Sequence, residues 1–332
     1  MNYSGDKVAL FYEFTFGRYP YYNKSVLSAP INYGIPLNVT NHTGAMEQHL
    51  NISAYNITST ILGVNYSTLA VIDFEEWRPL YEQNTGSKRV YQNASELLER
   101  KAHPNFTDEQ IREVAKTDYN ETAKDFILKT LIEARQLRPN ASWGMYGFPY
   151  CNYDAGKNEG EYDCNQTYQK YNDRMMYIYE NSTALFPSIY LGFNATSEHR
   201  FRYVQAILKE ALRISRKFPK RLPIYAYTKF EYDPLKKNCS FYDDYDLCTT
   251  LKLPALMGID GLIFWSSSAN MMFRCTAIMD FVKYKLGPRI LNFNDTCGSF
   301  SFPVTNITEY GGLCNVTITN PFNPTPSPPS QI

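Results

Sequence analysis

Short apolar runs alternate with longer helical patterns along this chain of 332 residues. The runs with the length and composition of buried strands are residues 8–12, 69–72, 143–148, 188–191, 222–227 and 261–265. Chains that alternate strand and helix in this way form parallel β-α units. We therefore predict an α/β fold, and the regular alternation favours a barrel over an open sheet.

The predicted helices have recognisable ends. Thr107 and Gln110 have the spacing of a capping box at the start of a long helix, and Pro139 lies beyond its end. Apolar residues at helical spacing fill the segment between these points. Further helices are predicted over residues 198–217 and 276–286.

The charge balance limits the classes of partner. Lys+Arg and Asp+Glu number 33 each, so the formal net charge is zero. A general nucleic-acid binder draws its affinity from excess positive charge, so we predict no nucleic-acid partner. A local basic groove for a polyanion is still compatible with this balance. The 28 Tyr residues supply flat apolar faces with polar tips, which suit sugar rings as well as half-buried core positions.

Glycosylation motifs indicate the secretory pathway. Of 27 Asn residues, 18 begin an Asn-X-Ser/Thr sequence, which accepts a glycan only in that pathway and on exposed surfaces. No run of 18 apolar residues is present, so no transmembrane segment is predicted. Residues 1–6 lack the apolar region of a signal peptide, so we expect the native N-terminus to lie further upstream. The predicted location is extracellular or lysosomal.

Seven Cys residues agree with an oxidising compartment. The short separations within the chain suit three local disulfides, which are Cys151/Cys164, Cys239/Cys248 and Cys297/Cys314. This pairing leaves Cys275 unpaired. The chain has no CxxC pair, and its four His residues are scattered, so we predict no metal site and no cofactor.

Asp73 and Glu75 lie two residues apart at the end of the strand predicted over 69–72. Because side chains alternate along a strand, both are expected on the same face. In a β/α barrel, catalytic groups collect at the carboxyl ends of the strands. Two close carboxylates repel, so one keeps its proton to higher pH and can serve as the general acid that glycosidic cleavage needs. The same pattern also fits a Mg²⁺ site or a solvated loop start.

Aromatic side chains and hydrogen-bond donors lie at or near the ends of other apolar runs. They are Tyr146, Tyr190, Tyr227, Trp265, Arg78, Ser267 and Ser268. Each aromatic is compatible with a core position, but together on one rim they predict a cleft for a sugar polymer. Arg78 can bind a substrate carboxylate with two parallel hydrogen bonds, or it can be a structural partner of Glu76.

Five segments resemble the hyaluronidase family, glycoside hydrolase family 56, in sequence, order and spacing. They are residues 70–79 (AVIDFEEWRP), 143–151 (WGMYGFPYC), 187–191 (PSIYL), 209–216 (KEALRISR) and 261–268 (GLIFWSSS). The first segment is the most specific, and the resemblance covers roughly residues 7–290. It implies a distorted β/α TIM-like barrel of about seven strands.

The resemblance also implies a domain organisation. Residues 1–290 would form the glycoside hydrolase barrel, and residues 291–332 a short Cys-containing extension with a Pro- and Ser-rich tail. The family has a strand and a Cys upstream of the position of Val8, and this chain lacks both. The family Cys that matches Cys275 is bridged to that upstream Cys, which agrees with an unpaired Cys275 here.

The function implied is endo-acting hydrolysis of hyaluronan or chondroitin with retention of configuration. In the family, the substrate's own N-acetyl oxygen attacks C1. The residue matching Glu75 protonates the leaving oxygen, and the residue matching Asp73 orients and polarises the acetamido group. The residue matching Tyr190 helps to hold that group. The residues matching Tyr146, Tyr227 and Trp265 line the cleft, and the protein is expected to be a monomer.

Two alternatives remain open at this stage. The chain can be a truncated or catalytically inactive glycan-binding relative, although its intact Asp73, Glu75, Tyr146 and Tyr190 argue against that. It can also be a chitinase-like enzyme, but Val71 stands where that family has a further Asp. The family position after the matched Trp-X-Ser-Ser is often acidic, whereas Ala269 stands there in this chain.

Overall fold

A computed structural model describes residues 7–23, 29–291 and Cys314. The strands are β1 (Val8–Tyr12), β2 (Tyr21–Asn23), β3 (Ala29–Ile31), β4 (Leu69–Asp73), β5 (Ser142–Met145), β6 (Tyr225–Thr228) and β7 (Gly261–Phe264). The helices are α1 (Pro36–Asn41), α2 (Ala45–Thr60), α3 (Arg89–Ala102), α4 (Asp108–Leu137), α5 (Gln166–Arg174), α6 (Met176–Glu180), α7 (Ser197–Ser215), α8 (Asp244–Leu256) and α9 (Met271–Phe281). Short 3₁₀ turns occupy Tyr81–Gln83 and Gly86–Lys88, and a π-helical turn occupies Val282–Leu286.

The chain divides into two compact units. The first unit comprises Met1–Asn152, Asn165–Pro187 and Glu210–Ile224, and the second comprises Tyr153–Cys164, Ser188–Lys209 and Tyr225–Ile332. The predicted extension over 291–332 lies outside the described residues except for residue 291 and Cys314. The division into a barrel and an extension therefore stays a prediction.

The first unit is built on a parallel sheet of order β1-β4-β5. Strand β4 is central, and Ala70, Val71 and Ile72 are fully buried within it. A central strand of a parallel sheet is covered on both faces, which explains the continuous apolar run. The register pairs Tyr12 of β1 with Asp73 of β4. A close approach also requires Gly144 in β5, because a Cβ atom there would overlap the carbonyl oxygen of residue 184.

Helix α4 is the longest helix of the first unit, and helices α1, α2 and α3 pack against it. Thr107 Oγ1 accepts the Gln110 backbone N–H, and the Gln110 side chain accepts the Thr107 N–H. The predicted capping box is therefore confirmed. The apolar stripe of α4 that faces the unit's interior is fully buried and includes Ile111, Ala115, Ala123, Phe126 and Leu131.

The second unit contains the parallel pair β6-β7. The predicted strand over 188–191 is wrong, because only Ser188 forms a bridge, to Tyr227. The backbone N–H of Ile189 still donates to the Tyr227 carbonyl, but that of Leu191 donates to Tyr242 Oη at 3.0 Å. At Leu191, the hydroxyl of Tyr242 thus accepts the N–H that a neighbouring strand would bind in the predicted strand.

The last predicted helix also starts earlier than expected. Helix α9 begins at Met271 rather than at residue 276, and helical backbone continues to residue 291. Asn270 adopts a left-handed conformation (φ 55°), and the N–H of Met271 donates to the Ser268 carbonyl. This turn starts the helix among exposed apolar side chains, where no amphipathic pattern marks it.

The cysteines depart from two of the three predicted pairs. Cys248, within α8, is bonded to Cys314 with a Cα–Cα distance of 5.5 Å, so the pairs Cys239/Cys248 and Cys297/Cys314 are wrong. Cys239 is free and lies on a loop, with its sulfur 4.0 Å from the Arg274 carbonyl oxygen. The spacing of the cysteines suggested local disulfides, but Cys248 on α8 is bonded to Cys314, 66 positions away in sequence.

The structure describes three of the four remaining cysteines. Cys151 and Cys164 are each disulfide-bonded, and their pairing with each other stays a prediction. Cys275 is exposed and forms no disulfide among the described residues. Cys297 lies outside the described residues.

Among the helices of the described residues, none is long and apolar enough to cross a membrane.

Candidate active site

The predicted acidic pair lies at the carboxyl end of β4. Asp73 is the last residue of the strand, and Glu75 follows where the chain has left the sheet. Glu75 is exposed, whereas Asp73 is half-buried. Within the described residues, the buried Oδ1 atom of Asp73 has no hydrogen-bond partner. Buried polar atoms are usually paired, so this oxygen is a candidate for contact with a ligand.

A third carboxylate, Glu13, stands beside the pair. Glu13 follows β1, and its backbone N–H donates to the Asp73 carbonyl at 3.0 Å, which continues the β1-β4 ladder. Its Oε2 atom accepts the backbone N–H of Glu75 at 2.5 Å and that of Glu76 at 3.0 Å. The loop that carries Glu75 is thus attached to the neighbouring strand end by a side chain.

Lys88 holds the other edge of the same loop. Its Nζ atom donates to the carbonyl oxygen of Glu75 at 2.5 Å and to that of Glu76 at 2.9 Å. The peptide groups of residues 75 and 76 therefore have their N–H atoms bound by an acid and their C=O atoms bound by a cation. We call Glu13 and Lys88 together the loop clamp.

The acidic cluster has raised pKa values. Burial, followed by the charges of Glu75 and Glu13, raises the pKa of Asp73 to about 8. Burial also raises the pKa of Glu13 to about 7, assisted by the charges of Glu76 and Glu75 and opposed by the two backbone hydrogen bonds. Asp73 therefore keeps its proton to a higher pH than an ordinary aspartate does.

Arg78 and Tyr146 lie in the same unit. The Arg78 guanidinium lies 4.2 Å from the centre of the Tyr150 ring and donates to Tyr150 Oη at 2.6 Å. The backbone N–H of Tyr146 donates to the Ile72 carbonyl, so Tyr146 extends the β4-β5 pairing to the strand end that carries Asp73. Its side chain is half-buried.

The second unit carries an aromatic cluster around a lysine. The rings of Tyr190 and Trp265 have centroids 6.1 Å apart, and Lys229 Nζ lies 4.2 Å from the first and 5.0 Å from the second. All three residues are partly exposed, whereas Tyr227 on β6 is only 2% exposed. Two ring faces and a cation make a surface suited to an acidic sugar.

A buried ion pair supports the loop after β7. Arg274 is fully buried and binds both carboxylate oxygens of Glu231, at 3.2 and 2.5 Å. It also donates to the carbonyls of Ser267 and Ala269. Ser267 Oγ accepts the Ala269 N–H at 3.1 Å, and Ser268 is exposed. The predicted serines are thus on a loop whose backbone is bound by Arg274.

Comparison with known proteins identifies the family. The hyaluronidase profile, glycoside hydrolase family 56, matches residues 1–314. This chain belongs to the hyaluronidase family. It is 37% identical over 286 residues to the chondroitin hydrolase of Caenorhabditis elegans, covering 86% of this chain and 61% of that protein. It is 33% identical over 297 residues to the hyaluronidase Tab y 2.0101 of Tabanus yao, covering 87% of this chain and 81% of that protein.

A solved structure supports the fold of this hyaluronidase-family chain. Bee venom hyaluronidase in complex with a hyaluronic acid tetramer matches with a TM-score of 0.78 and 30% sequence identity. The match covers 87% of this chain and 88% of the other. The predicted family and its α/β hyaluronidase-type fold are therefore confirmed. The roles of individual site residues stay predictions.

Each unit of this hyaluronidase-family chain brings part of the predicted site together. The first unit holds Asp73, Glu75, Tyr146 and Arg78, and the second holds Tyr190, Tyr227, Trp265, Ser267 and Ser268. Sequence reasoning missed Glu13, Lys88, Glu231 and Arg274 as parts of these clusters. An acid directly after the apolar run 8–12 was an available signal for Glu13, because catalytic side chains collect at strand ends. No comparable signal marks the other three.

Within the described part of the chain, no group of three or more His, Cys, Asp or Glu side chains could hold a metal ion.

Proposed function

We propose that this chain is an endo-acting glycosaminoglycan hydrolase that cleaves hyaluronan, chondroitin or both. The chain spans 61% of the length of the C. elegans chondroitin hydrolase. The observation that carries the proposal is the Asp73–Glu75 pair at the end of β4, with one buried Asp73 oxygen lacking a partner among the described residues.

Asp73 is suited to receive the N–H of an acetamido group. A donor at its free oxygen would satisfy that atom and favour the ionised carboxylate. The ionised carboxylate would then stabilise positive charge as the acetamide oxygen attacks C1 and forms an oxazolinium ion. This attack breaks the bond from C1 to the leaving oxygen and inverts C1. Water then attacks C1 from the opposite face and opens the ring, so the overall hydrolysis retains configuration and requires no covalent bond between Asp73 and the sugar.

Glu75 is suited to protonate the leaving oxygen. It is exposed, so it can reach a bound polymer, and its backbone is held by the loop clamp. Burial raises the pKa of Asp73 to about 8. A substrate N–H on Asp73 would favour the ionised form of that carboxyl, and Glu75 is then the group assigned to donate the proton in this proposal.

The aromatic cluster of the second unit supplies polymer contacts in this proposal. Tyr190 and Trp265 offer ring faces to the sugars, and Lys229 offers a cation to a uronate carboxylate. Tyr190 is also the candidate for holding the acetamido group. Tyr146, Tyr227, Arg78, Ser267 and Ser268 are candidate substrate-binding residues.

We further propose that the protein works as a monomer in an extracellular or lysosomal compartment. The disulfide between Cys248 and Cys314 suits an oxidising environment. Sequon residues such as Asn41, Asn51 and Asn93 are exposed, as glycan attachment requires. A mass decrease after enzymatic deglycosylation of protein from a eukaryotic host would test this assignment.

The activity test uses the full chain with hyaluronan, chondroitin and chitin oligomers. We expect new N-acetylhexosamine reducing ends from the first two polymers and none from chitin. Glu75→Gln should lower the rate about 10²- to 10⁴-fold, because the positioned acid is lost. Glu133→Gln on α4 is the matched control, since Glu133 is a half-buried carboxylate bonded to Ser53 and remote in sequence from the pair.

Several outcomes would contradict the proposal. Binding of hyaluronan or chondroitin without cleavage would favour the non-catalytic alternative. Cleavage of chitin alone would favour the chitinase-like one. A Glu75→Gln variant with more than about a tenth of the activity would remove Glu75 as the acid. A sugar trapped on Asp73 in intact-mass spectra would replace the acetamide mechanism with a covalent one.

A further inference from the structure

Glu13 makes contacts that only a hydrogen-bond acceptor at its position can make. It stands one residue beyond β1, and its N–H is bound to the Asp73 carbonyl, so its backbone is fixed relative to the end of β4. From that anchor, one carboxylate oxygen accepts two consecutive backbone N–H groups, those of Glu75 and Glu76. Two bonds to successive peptides fix both the position and the tilt of the loop that carries the Glu75 side chain.

We propose that Glu13 is a positioning residue for Glu75 and Asp73, holding the Glu75 loop through its backbone and coupling its own charge to the acidic pair. This inference rests on the proposed function, since it concerns the same acids. It adds a third carboxyl group to the site. Glu13 acts through Glu75 and Asp73 and is not itself placed against the substrate.

The electrostatic setting distinguishes this role from that of an ordinary turn cap. A neutral amide or hydroxyl would satisfy the same two N–H groups without repelling the neighbouring acids. An acid there places a third negative group against Asp73, and both acids then hold protons to higher pH. The titratable groups that interact with Glu13 from the surrounding elements are Asp73, Glu75, Glu76, Tyr19 and Tyr91, and the charged Lys88 binds the carbonyl groups of the same loop.

Lys88 binds the other edge of the same loop. Its ammonium group binds the two carbonyl oxygens of the loop, while Glu13 binds the two N–H groups. The peptide planes of residues 75 and 76 are therefore held from both edges. Removal of one edge should let the Glu75 side chain drift from its position, and small misplacements of catalytic groups cost up to about 100-fold in rate.

Two substitutions separate the two parts of the role. Glu13→Gln keeps an acceptor oxygen and removes the charge, and Glu13→Ala removes both. We expect Glu13→Gln to move the pH–rate profile to lower pH, since the pKa of Asp73 falls when a nearby negative charge is removed, and to lower the maximal kcat less than Glu13→Ala does. We expect Glu13→Ala to lower kcat about 10- to 100-fold with little change in KM.

Amide hydrogen exchange at residues 75 and 76 provides a readout that does not depend on activity. Glu13→Ala should exchange these amides faster than the wild-type chain, whereas Glu13→Gln should leave them protected. The control is Glu133→Ala, which removes a half-buried carboxylate from α4 and should change neither the pH profile nor the exchange at residues 75 and 76.

The outcomes decide between the two proposals. A wild-type chain that cleaves no glycosaminoglycan sinks the proposed function, but exchange at residues 75 and 76 still tests the clamp. The Glu13 inference is overturned if all variants show wild-type protection at these amides. It is also overturned by a Glu13→Gln pH profile that superimposes on the wild type. If Glu13→Ala does not fold, the Glu13→Gln profile alone decides.

Discussion

The two units hold buried carboxylates in opposite electrostatic settings. In the first unit, Asp73 lies beside two other acids, and its buried Oδ1 has no partner among the described residues. In the second unit, Glu231 is 1% exposed and receives Arg274 on both oxygens. Asp73 is the last residue of β4, and Glu231 lies three residues beyond the end of β6.

The two settings suggest a structural role for Glu231 and a ligand-binding role for Asp73. A buried carboxylate with a bidentate guanidinium partner has its hydrogen-bonding capacity filled, so it holds the backbone around it. A buried carboxylate among like charges is unfavourable until it takes up a proton or a donor. Such groups are candidates for chemistry, which agrees with the proposed role of Asp73.

The largest change in stability is expected when Arg274 is removed from its ion pair with Glu231. Arg274→Met leaves Glu231 buried without its cation and frees the loop carbonyls of Ser267 and Ala269. The free energy of unfolding should fall by about 3–5 kcal/mol. Urea unfolding measures it, with Lys129→Met as the control, because Lys129 and Asp125 form an exposed pair on α4. Equal losses in the two variants would contradict the comparison.

Substitution of Asp73, unlike that of Arg274, should raise the free energy of unfolding. Its folded pKa of about 8 exceeds the ordinary value of about 4, so the folded state keeps a proton that the unfolded state loses. The free energy of unfolding should therefore fall as pH rises from about 4 to about 8 and be largest below that window. At pH 8, Asp73→Asn should be more stable than the wild type by on the order of 1–3 kcal/mol.

Urea unfolding between pH 4 and pH 8 measures this dependence. Asp73→Asn should show a shallower fall than the wild type, and Glu13→Gln an intermediate one. Asp108→Asn provides a control, because Asp108 is an exposed acid in the first turn of α4. A wild-type stability that rises with pH over this range would show that Asp73 is partnered in solution.

The smallest expected effect concerns the cation between the aromatic rings. Lys229→Met removes the charge but keeps the apolar stem, so KM for hyaluronan should rise about three- to tenfold with little change in kcat. Added salt should raise the wild-type KM more than that of the variant. Lys283→Met is the matched control, since Lys283 lies 4.9 Å from the Tyr284 ring outside this cluster. If KM depends on salt in the same way in the wild type and in Lys229→Met, Lys229 does not bind the polymer's charge. The aromatic faces would then be the contacts that remain.

Much of the architecture follows from local patterns. The apolar run 69–72 predicted β4, and the capping-box spacing at Thr107 predicted the start of α4. These features were predictable because strand burial and helix capping depend on residues close together in sequence. The run 188–191 failed, because its pairing is ended by the hydroxyl of Tyr242, which is distant in sequence.

The family, the α/β fold and the position of the Asp73–Glu75 pair at a strand end could all be predicted from the sequence. The residues that surround that pair could not, because they depend on tertiary contacts. Glu13 accepts the backbone N–H of Glu75, which is 62 residues away in sequence, and Cys248 is bonded to Cys314, which is 66 residues away. Neither contact leaves a periodic or spacing signal, because each depends on where strands and helices bring distant side chains in space. The electrostatics of the site arise from those contacts, since burial and neighbouring charges set the pKa of Asp73.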